Sequence, residues 1–265
     1  MHPFLFQIGS FKLPMYGLMI AIGYLAALIY IFNKNKKIGL NKEALSDLLF
    51  YILLFGILGG KLFYIITYWG TFGATAAQKI TYIFKTFQFG FVFYGGFLLS
   101  LAVFFFYTKK KKIPRITAAE LIAPALPLAH AFGRLGCFFA GCCYGKPTDS
   151  IFGVIFENAK GEIPAALLGR PIHPVQLYEA FGNLIIFVIL NKMLSNEIKA
   201  KKFTGRIFCS YIIIYGALRF FLEFFRGDNR GSGLFSLSPA QTISIIMATA
   251  AIAAVFAIRR KYGKN

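Results

Sequence analysis

The sequence predicts an all-α protein that crosses a membrane several times. Of its 265 residues, 57% are hydrophobic and only 15% are charged, whereas soluble domains carry about 25% charged residues. Apolar stretches of roughly 20 residues, the length that crosses the hydrocarbon core of a bilayer, recur along the whole chain. Short basic loops separate these stretches. Together the three observations exclude an ordinary soluble domain.

Seven stretches are long and apolar enough to be transmembrane helices. We place them at residues 14–32, 44–68, 89–107, 118–135, 174–194, 207–225 and 239–258. The N-terminal segment lacks a basic start and a small-residue cleavage site, so the first span is expected to stay in the protein. No internal repeat or low-complexity tract divides the chain. A single transmembrane domain over residues 1–265 is therefore expected.

The loops between the spans alternate between strongly and weakly basic. The loops after the first, third and fifth spans, together with the C-terminus, hold 18 of the 29 Lys and Arg residues, and the opposite set holds eight. Because cytoplasmic loops carry the excess of Lys and Arg, we expect the N-terminus outside and the C-terminus in the cytoplasm. The net charge of +19 then serves topology and contacts with anionic membrane lipids. No nucleic-acid partner is expected.

Charged side chains occur towards the outer ends of the spans. A charge inside the membrane costs free energy, so such residues are expected to be functional. Arg134 lies near the outer end of the fourth span. In the sixth span Arg219, Glu223 and Arg226 follow a spacing of i, i+4 and i+7, which predicts that all three share one helical face. Arginine holds a phosphate by paired hydrogen bonds. A lipid headgroup phosphate is therefore the expected ligand.

A long outer loop, at about residues 136–173, joins the fourth and fifth spans. The fifth span starts at Pro174, which suits the first turn of a helix. His173 is then expected at the cap, with Gln176 and Glu179 within the first two turns. Glu179, like Glu223, is expected to orient an arginine.

Simpler interpretations remain open for these residues. The arginines could extend from helix ends to the membrane interface, with Glu223 closing an ordinary salt bridge. Tyr16 and Tyr94 could belong to the belt of aromatic residues at the membrane surface. His130, one turn before Arg134, is expected to pack or to form a hydrogen bond inside the helix bundle.

The segment GRLGCFFAGCCYGKP, residues 133–147, contains three of the four cysteines. Cys137, Cys142 and Cys143 lack the CxxC spacing of zinc sites, so no metal site is expected, even with His130 as a further ligand. A disulfide and a catalytic thiol remain open. We favour the interpretation that these are small buried residues that allow a tight turn and close helix contact.

Seven short motifs, one in each predicted span or directly after it, together resemble the bacterial prolipoprotein diacylglyceryl transferases. In order they are PMYGLM, GGKLFYIITYW, FYGGF, GRLGCFFAGCCYG, HPVQLYEA, RFFLEFFR and LSPAQTISI. The resemblance implies transfer of a diacylglyceryl group from phosphatidylglycerol to the thiol of the lipobox cysteine of a prolipoprotein, with release of glycerol phosphate. It also implies the bacterial cytoplasmic (inner) membrane and the absence of any metal or other cofactor.

The resemblance also implies roles for individual residues. Arg134 matches the arginine of the family's GR signature, and Arg219 matches the first arginine of its RFxxExxR motif, so both are expected at the phosphate. Glu223 is expected to position Arg219. Tyr16 and His173 are expected to support the headgroup pocket. The expected binding set further contains Gly95, Gly96, Gly145, Gln176, Glu179 and Arg226.

This chain departs from the family pattern at the FYGGF and GRLG motifs. Tyr94 stands where the family commonly has a histidine that is a proposed helper in thiol deprotonation, and tyrosine is a poorer base at neutral pH. Cys137, Ala140 and Cys142 stand where the family usually has two amides and a carboxylate. We therefore keep Tyr94 as a candidate catalytic residue. Two alternatives follow: a divergent member that uses another acceptor, and a phosphatidylglycerol-binding or transport protein without transferase turnover.

Overall fold

The computed structural model describes residues 3–8, 11–86, 90–157, 163–228 and 237–262. Most of these residues are helical. The helices are α1 (Met15–Ile38), α2 (Lys42–Thr67), α3 (Ala76–Lys85), α4 (Phe93–Lys110), α5 (Arg115–Ile122), α6 (Ala125–Ala140), α7 (Val175–Ala200), α8 (Arg206–Leu222) and α9 (Pro239–Tyr262). Two short antiparallel pairs accompany them: β1 (Phe4–Ile8) with β2 (Phe11–Pro14), and β3 (Val154–Ile155) with β4 (Pro171–Ile172).

Within the described ranges, six helical segments are long and apolar enough to cross a membrane. They are Met15–Ile38, Lys42–Thr67, Arg115–Ala140, Val175–Ala200, Arg206–Phe225 and Pro239–Ile258. The predicted mostly helical, multi-pass membrane protein is thereby confirmed. The third predicted span corresponds to α4, which has 18 residues and ends in two lysines; it is not among the six. Its predicted first residue, 89, lies outside the described residues.

Three predicted boundaries differ from the structure. The fourth span continues to Ala140 at the end of α6, so the outer segment begins at Gly141 and not at residue 136. The fifth begins as a helix at Val175, with Pro174 as its cap. The third span was predicted to begin at residue 89, but α4 begins at Phe93, and the FYGG sequence forms its first turn.

The chain divides into two compact units, one made of Met1–Ile38 with Ile116–Asn265 and the other of Gly39–Arg115. In the first unit, α6 packs against α1 and α7, and α8 packs against α7 and α9. The close contact of α1 with α6 depends on Gly23, where an added Cβ would lie 2.9 Å from the carbonyl oxygen of Ala129. Small residues of this kind let membrane helices approach each other closely.

In the second unit, α2 and α4 form a pair that approaches closely where glycines of the two helices face each other. A Cβ added at Gly95 would collide with the carbonyl oxygen of Gly59, and one at Gly96 with that of Gly56. The two glycines of FYGG are thus explained by helix packing. The short helix α3 starts with a capping box formed by Thr75 and Gln78.

A buried carboxylate fixes the start of α8 in the first unit. Glu120 on α5 is fully buried and accepts hydrogen bonds from the backbone N–H groups of Thr204 at 3.1 Å and Ile207 at 3.2 Å. The first N–H groups of a helix have no partner inside the helix, and a carboxylate also suits the helix dipole. Glu120 therefore caps α8 from a distant part of the chain.

Candidate functional site

The polar centre of the first unit is Glu179 on α7, whose side chain is fully buried. Its Oε2 lies 3.1 Å from Nε of Arg134 on α6. Its Oε1 accepts a hydrogen bond from the hydroxyl of Tyr215 on α8 at 3.1 Å and lies 3.7 Å from Nε2 of His130. Three helices therefore converge on one carboxylate. A carboxylate at this depth is tolerated only when it is paired and accepts hydrogen bonds.

Arg134 makes two contacts through its Nε atom. Its Nε donates to Nε2 of His130 at 3.1 Å. The ring of His130 rests against Tyr215, with 5.2 Å between the ring centres. Within the part of the chain that the structure describes, the two terminal amino groups of Arg134 make no hydrogen bond. They remain available to a ligand.

Arg219, near the end of α8, forms the second buried ion pair. Its Nη1 lies 2.6 Å from Oε2 of Glu223, and both side chains are 8% exposed. Its Nη2 is buried without a hydrogen-bond partner among the described residues. Because buried donors normally have partners, this amino group is suited to an anionic ligand.

The two arginines act on the same surroundings. His130 and Tyr215 both interact electrostatically with Arg134 and with Arg219. Each arginine is oriented by its own buried carboxylate. The result is two positive groups, each with unused donors, around one small region where α6, α7 and α8 meet.

Arg226 does not share a face with Arg219 and Glu223, so that prediction was wrong. The α-helix ends at Leu222, and the 3₁₀ turn Glu223–Phe225 leads to an extended Arg226. Arg226 instead binds Asp228 through two hydrogen bonds, Nε to Oδ1 at 2.8 Å and Nη2 to Oδ2 at 2.7 Å. The i+7 spacing failed because the regular helix ends at Leu222, four residues before Arg226.

The end of α6 folds back on itself through Gly141, which has φ of 76°. The N–H of Gly141 donates to the carbonyl of Phe138, and that of Cys142 to the carbonyl of Cys137, both at 3.2 Å. This pattern is a Schellman motif, which brings the second residue after the helix over its last turn. The chain turns again at Cys143, which also has a positive φ of 61°.

This double turn brings together three thiols that sequence spacing did not connect. The Sγ atoms of Cys137, Cys142 and Cys143 all lie within 4.8 Å of one another, and none is in a disulfide. Hydrogen bonds with the two other thiols raise the pKa of Cys142. The pKa of Cys143 is lowered by hydrogen bonds from Cys137 and Cys142 and by the neighbouring Arg226 guanidinium.

The segment after the turn joins α7 to the end of α8. Gly145 N–H donates to the carbonyl of His173 at 3.1 Å, and Lys146 N–H donates to that of Phe225 at 2.9 Å. A side chain at Gly145 would collide with both carbonyls. The ring of His173 contacts the hydroxyl of Tyr178 through Nδ1 at 3.3 Å. His173 and Gly145 are therefore parts of the frame around the charged centre.

The remaining predicted residues fall in three places. Gln176 on α7 is buried and donates from Nε2 to the carbonyl of Cys142 at 2.7 Å, so it fixes the Schellman turn. Tyr16, in the first turn of α1, lies against α6, where a Cβ at Gly136 would be 3.2 Å from the Tyr16 Cα. Tyr94 belongs to the second unit, as Gly95 and Gly96 do, and is 50% exposed.

Sequence reasoning missed Tyr215 and Asp228. Tyr215 lies four residues before Arg219 on α8, so the helical period that grouped the charges could have found it. Asp228 follows the helix, where no periodic signal applies.

Comparison with known proteins shows which family the chain resembles. Residues 3–257 match the family described as prolipoprotein diacylglyceryl transferase. The chain is 39% identical, over 92% of its length and 93% of the relative's, to the phosphatidylglycerol–prolipoprotein diacylglyceryl transferase of Clostridium tetani. It is 37% identical to the transferase numbered 2 of Clostridium perfringens, over 91% and 89% of the two chains. It is 34% identical to that of Pseudoalteromonas atlantica, over 97% and 90%.

Proposed function

The chain belongs to the prolipoprotein diacylglyceryl transferase family, and from this premise we propose how its buried charges carry the reaction. It is a membrane transferase that moves a diacylglyceryl group from phosphatidylglycerol to a prolipoprotein. The finer proposal is that the acceptor is the thiol of a lipobox cysteine. The reaction then takes place at the outer side of the bacterial cytoplasmic membrane, with seven spans and the N-terminus outside.

The observation that carries the proposal is the pair of oriented arginines with unused donors. Nη2 of Arg219 is buried without a partner, and the terminal amino groups of Arg134 make no hydrogen bond with described residues. A phosphodiester offers charged oxygens to such donors, and guanidinium groups bind them in pairs. The headgroup phosphate of phosphatidylglycerol therefore binds between Arg134 and Arg219.

The same donors assist the chemical step. The thiolate of the acceptor is the nucleophile; its sulfur–carbon bond forms as the carbon–oxygen bond to the phosphate breaks. Glycerol phosphate leaves with the bonding electrons, and its phosphate carries one more negative charge than the diester did. Fixed donors that meet charge as it develops lower the barrier, by about 2.7–4 kcal/mol for one donor in a well-studied case.

The carboxylates hold these donors in place. Glu179 and Glu223 each occupy one edge of a guanidinium group and leave the other edge to the phosphate. They also balance the two cations, so that the buried site is close to neutral before lipid binds. His173, Gly145 and Tyr16 support the frame around the headgroup.

In this proposal Tyr94 takes the place of the family histidine and, in its phenolate form, accepts the proton of the acceptor thiol. Its half-exposed side chain is open to a substrate. Tyr94→Phe should then lower transfer at neutral pH, and Tyr94→His should restore or exceed it. Equal rates for the wild type and Tyr94→Phe would remove Tyr94 from the mechanism.

The test is transfer by the purified full chain in detergent with phosphatidylglycerol and a synthetic lipobox peptide. We expect glycerol phosphate release together with a gain in peptide mass equal to one diacylglyceryl group. Arg134→Lys and Arg219→Lys should lose most of this activity. Lysine keeps the charge but lacks the planar guanidinium group with its paired donors. Lipid binding without any peptide modification would favour the binding or transport alternative. A modified nucleophile other than the peptide thiol would favour the alternative acceptor.

A further inference from the structure

The thiols of Cys137, Cys142 and Cys143 point to a site that the transfer reaction does not use. Their Sγ atoms lie within 4.8 Å of one another, although the cysteines are spread over three different backbone conformations. Cys137 is in the last turn of α6, Cys142 follows Gly141, and Cys143 has a positive φ. From this convergence we infer that the three thiolates bind one soft divalent cation such as Zn²⁺.

The distances suit such an ion. Zinc–thiolate bonds of about 2.3 Å place the sulfurs of a tetrahedral site roughly 3.8 Å apart. The observed separations are at most 4.8 Å. Each sulfur has to move by less than about 1 Å to reach the tetrahedral value, and rotation of the Cys side chains allows such a shift. Three protein ligands leave the fourth coordination position to water or another ligand.

The surroundings suit the charge of such a site. Three thiolates and one divalent cation leave a single negative charge, and the Arg226 guanidinium faces Cys143. Arg226 is fixed there by its two hydrogen bonds to Asp228. A cationic neighbour favours the thiolate form that metals require.

The backbone that carries the thiols is held in place before any ion arrives. The Schellman motif fixes Cys142 over Cys137, and Gln176 donates to the carbonyl of Cys142 at 2.7 Å. The contact between these two positions of the motif is commonly made by apolar side chains; here it is made by two thiols. Cys142 and Cys143 are partly exposed, so an ion can reach them.

The direct test is a titration of the reduced full chain in detergent with Cd²⁺, followed by the ultraviolet sulfur-to-metal charge-transfer band. We expect one equivalent of Cd²⁺ per chain and a band of the intensity of several thiolates. Cys142→Ser and Cys143→Ser should weaken binding by about 100-fold, since even the loss of an outer partner costs 10–100-fold. Cys209→Ser is the matched control, because Cys209 is a free buried cysteine on α8, and it should bind Cd²⁺ like the wild type.

A second readout covers variants that fold poorly. Binding to the folded state raises the melting temperature, so Cd²⁺ should raise it in the wild type and in Cys209→Ser, but not in the Cys142→Ser/Cys143→Ser double variant. The absence of a band and of a temperature shift in the reduced wild type would overturn the inference. So would a band that survives in the double variant, or one that Cys209→Ser removes. A reduced wild type that fails to bind Cd²⁺ without oxygen, but forms a disulfide among these thiols once oxygen is admitted, would identify a redox pair and refute the metal site.

Discussion

Glu120 and Glu179 both bury their carboxylates completely in the first unit, yet they meet different kinds of partner. Glu120 receives backbone N–H groups at the start of α8. Glu179 receives the side chains of Arg134 and Tyr215. Backbone donors are part of the fold and cannot turn towards a ligand. Side-chain donors such as a guanidinium can bind a carboxylate with one edge and a substrate with the other.

The comparison distinguishes buried carboxyl groups that stabilise the fold from those that act in the transfer reaction. A buried carboxylate that caps a helix stabilises the bundle, and its loss should act on the free energy of unfolding. A buried carboxylate that orients an arginine with unused donors should act on the rate of transfer. The following predictions test this separation, from the largest expected effect to the smallest.

Arg219→Ala should abolish measurable transfer, with a loss of about 100- to 1,000-fold, because a donor that meets the developing charge is worth about that factor. It should also destabilise the protein, since Glu223 is left as an unpaired buried charge. The double variant Arg219→Ala/Glu223→Gln provides the control. It should regain much of the melting temperature while transfer stays lost. Recovery of transfer in the double variant would show that Arg219 acts only through stability.

Glu120→Gln should act in the opposite way. The amide keeps only one acceptor oxygen, so one of the two backbone N–H groups at the start of α8 loses its partner, and we expect a loss of about 1–3 kcal/mol in the free energy of unfolding. Transfer per folded molecule should stay near the wild-type rate. The measurement is thermal unfolding in detergent beside initial rates on the same preparation. A large fall in rate at temperatures where the variant is fully folded would place Glu120 in the site.

Tyr215→Phe should give the smallest change. It removes the hydrogen bond of 3.1 Å to Glu179 and keeps the ring that rests on His130. A hydrogen bond contributes about 0.5–1.5 kcal/mol net and more when its acceptor is charged, so the transfer rate should fall by roughly 3- to 10-fold. Tyr211→Phe, whose ring stacks on Tyr215 with 5.8 Å between the ring centres, is a matched control and should leave the rate nearly unchanged.

The sequence predicted much of this arrangement because membrane helices and buried charges follow simple rules. Hydrophobic length located six of the seven predicted spans, and the cost of intramembrane charge singled out Arg134, Arg219, Glu179 and Glu223. The pairing of Glu223 with Arg219 followed from the helical period.

The failures share a physical cause, which is that tertiary contacts decide where helices start and end. The fourth span was predicted to end at residue 135, but α6 continues to Ala140, and Gly136 gives room to Tyr16 on α1. The third span was predicted from residue 89, but α4 begins at Phe93, and the glycines of FYGG make room for α2. Arg226 was placed on a helix that ends before it. The thiol cluster was missed because a Schellman motif brings together residues five positions apart, which no metal-spacing rule contains.

The most direct test of the account compares Glu179→Gln with Glu120→Gln in the same assay of transfer from phosphatidylglycerol to a lipobox peptide, with melting temperatures measured in parallel. Both changes replace a fully buried carboxyl group by an amide of nearly the same shape. We predict that Glu179→Gln lowers the transfer rate by about 100-fold at temperatures where it is fully folded, because Arg134 loses the charge that orients it, whereas Glu120→Gln lowers the melting temperature and keeps the rate. Equal losses of rate in both variants, or an unchanged rate in Glu179→Gln, would contradict the account.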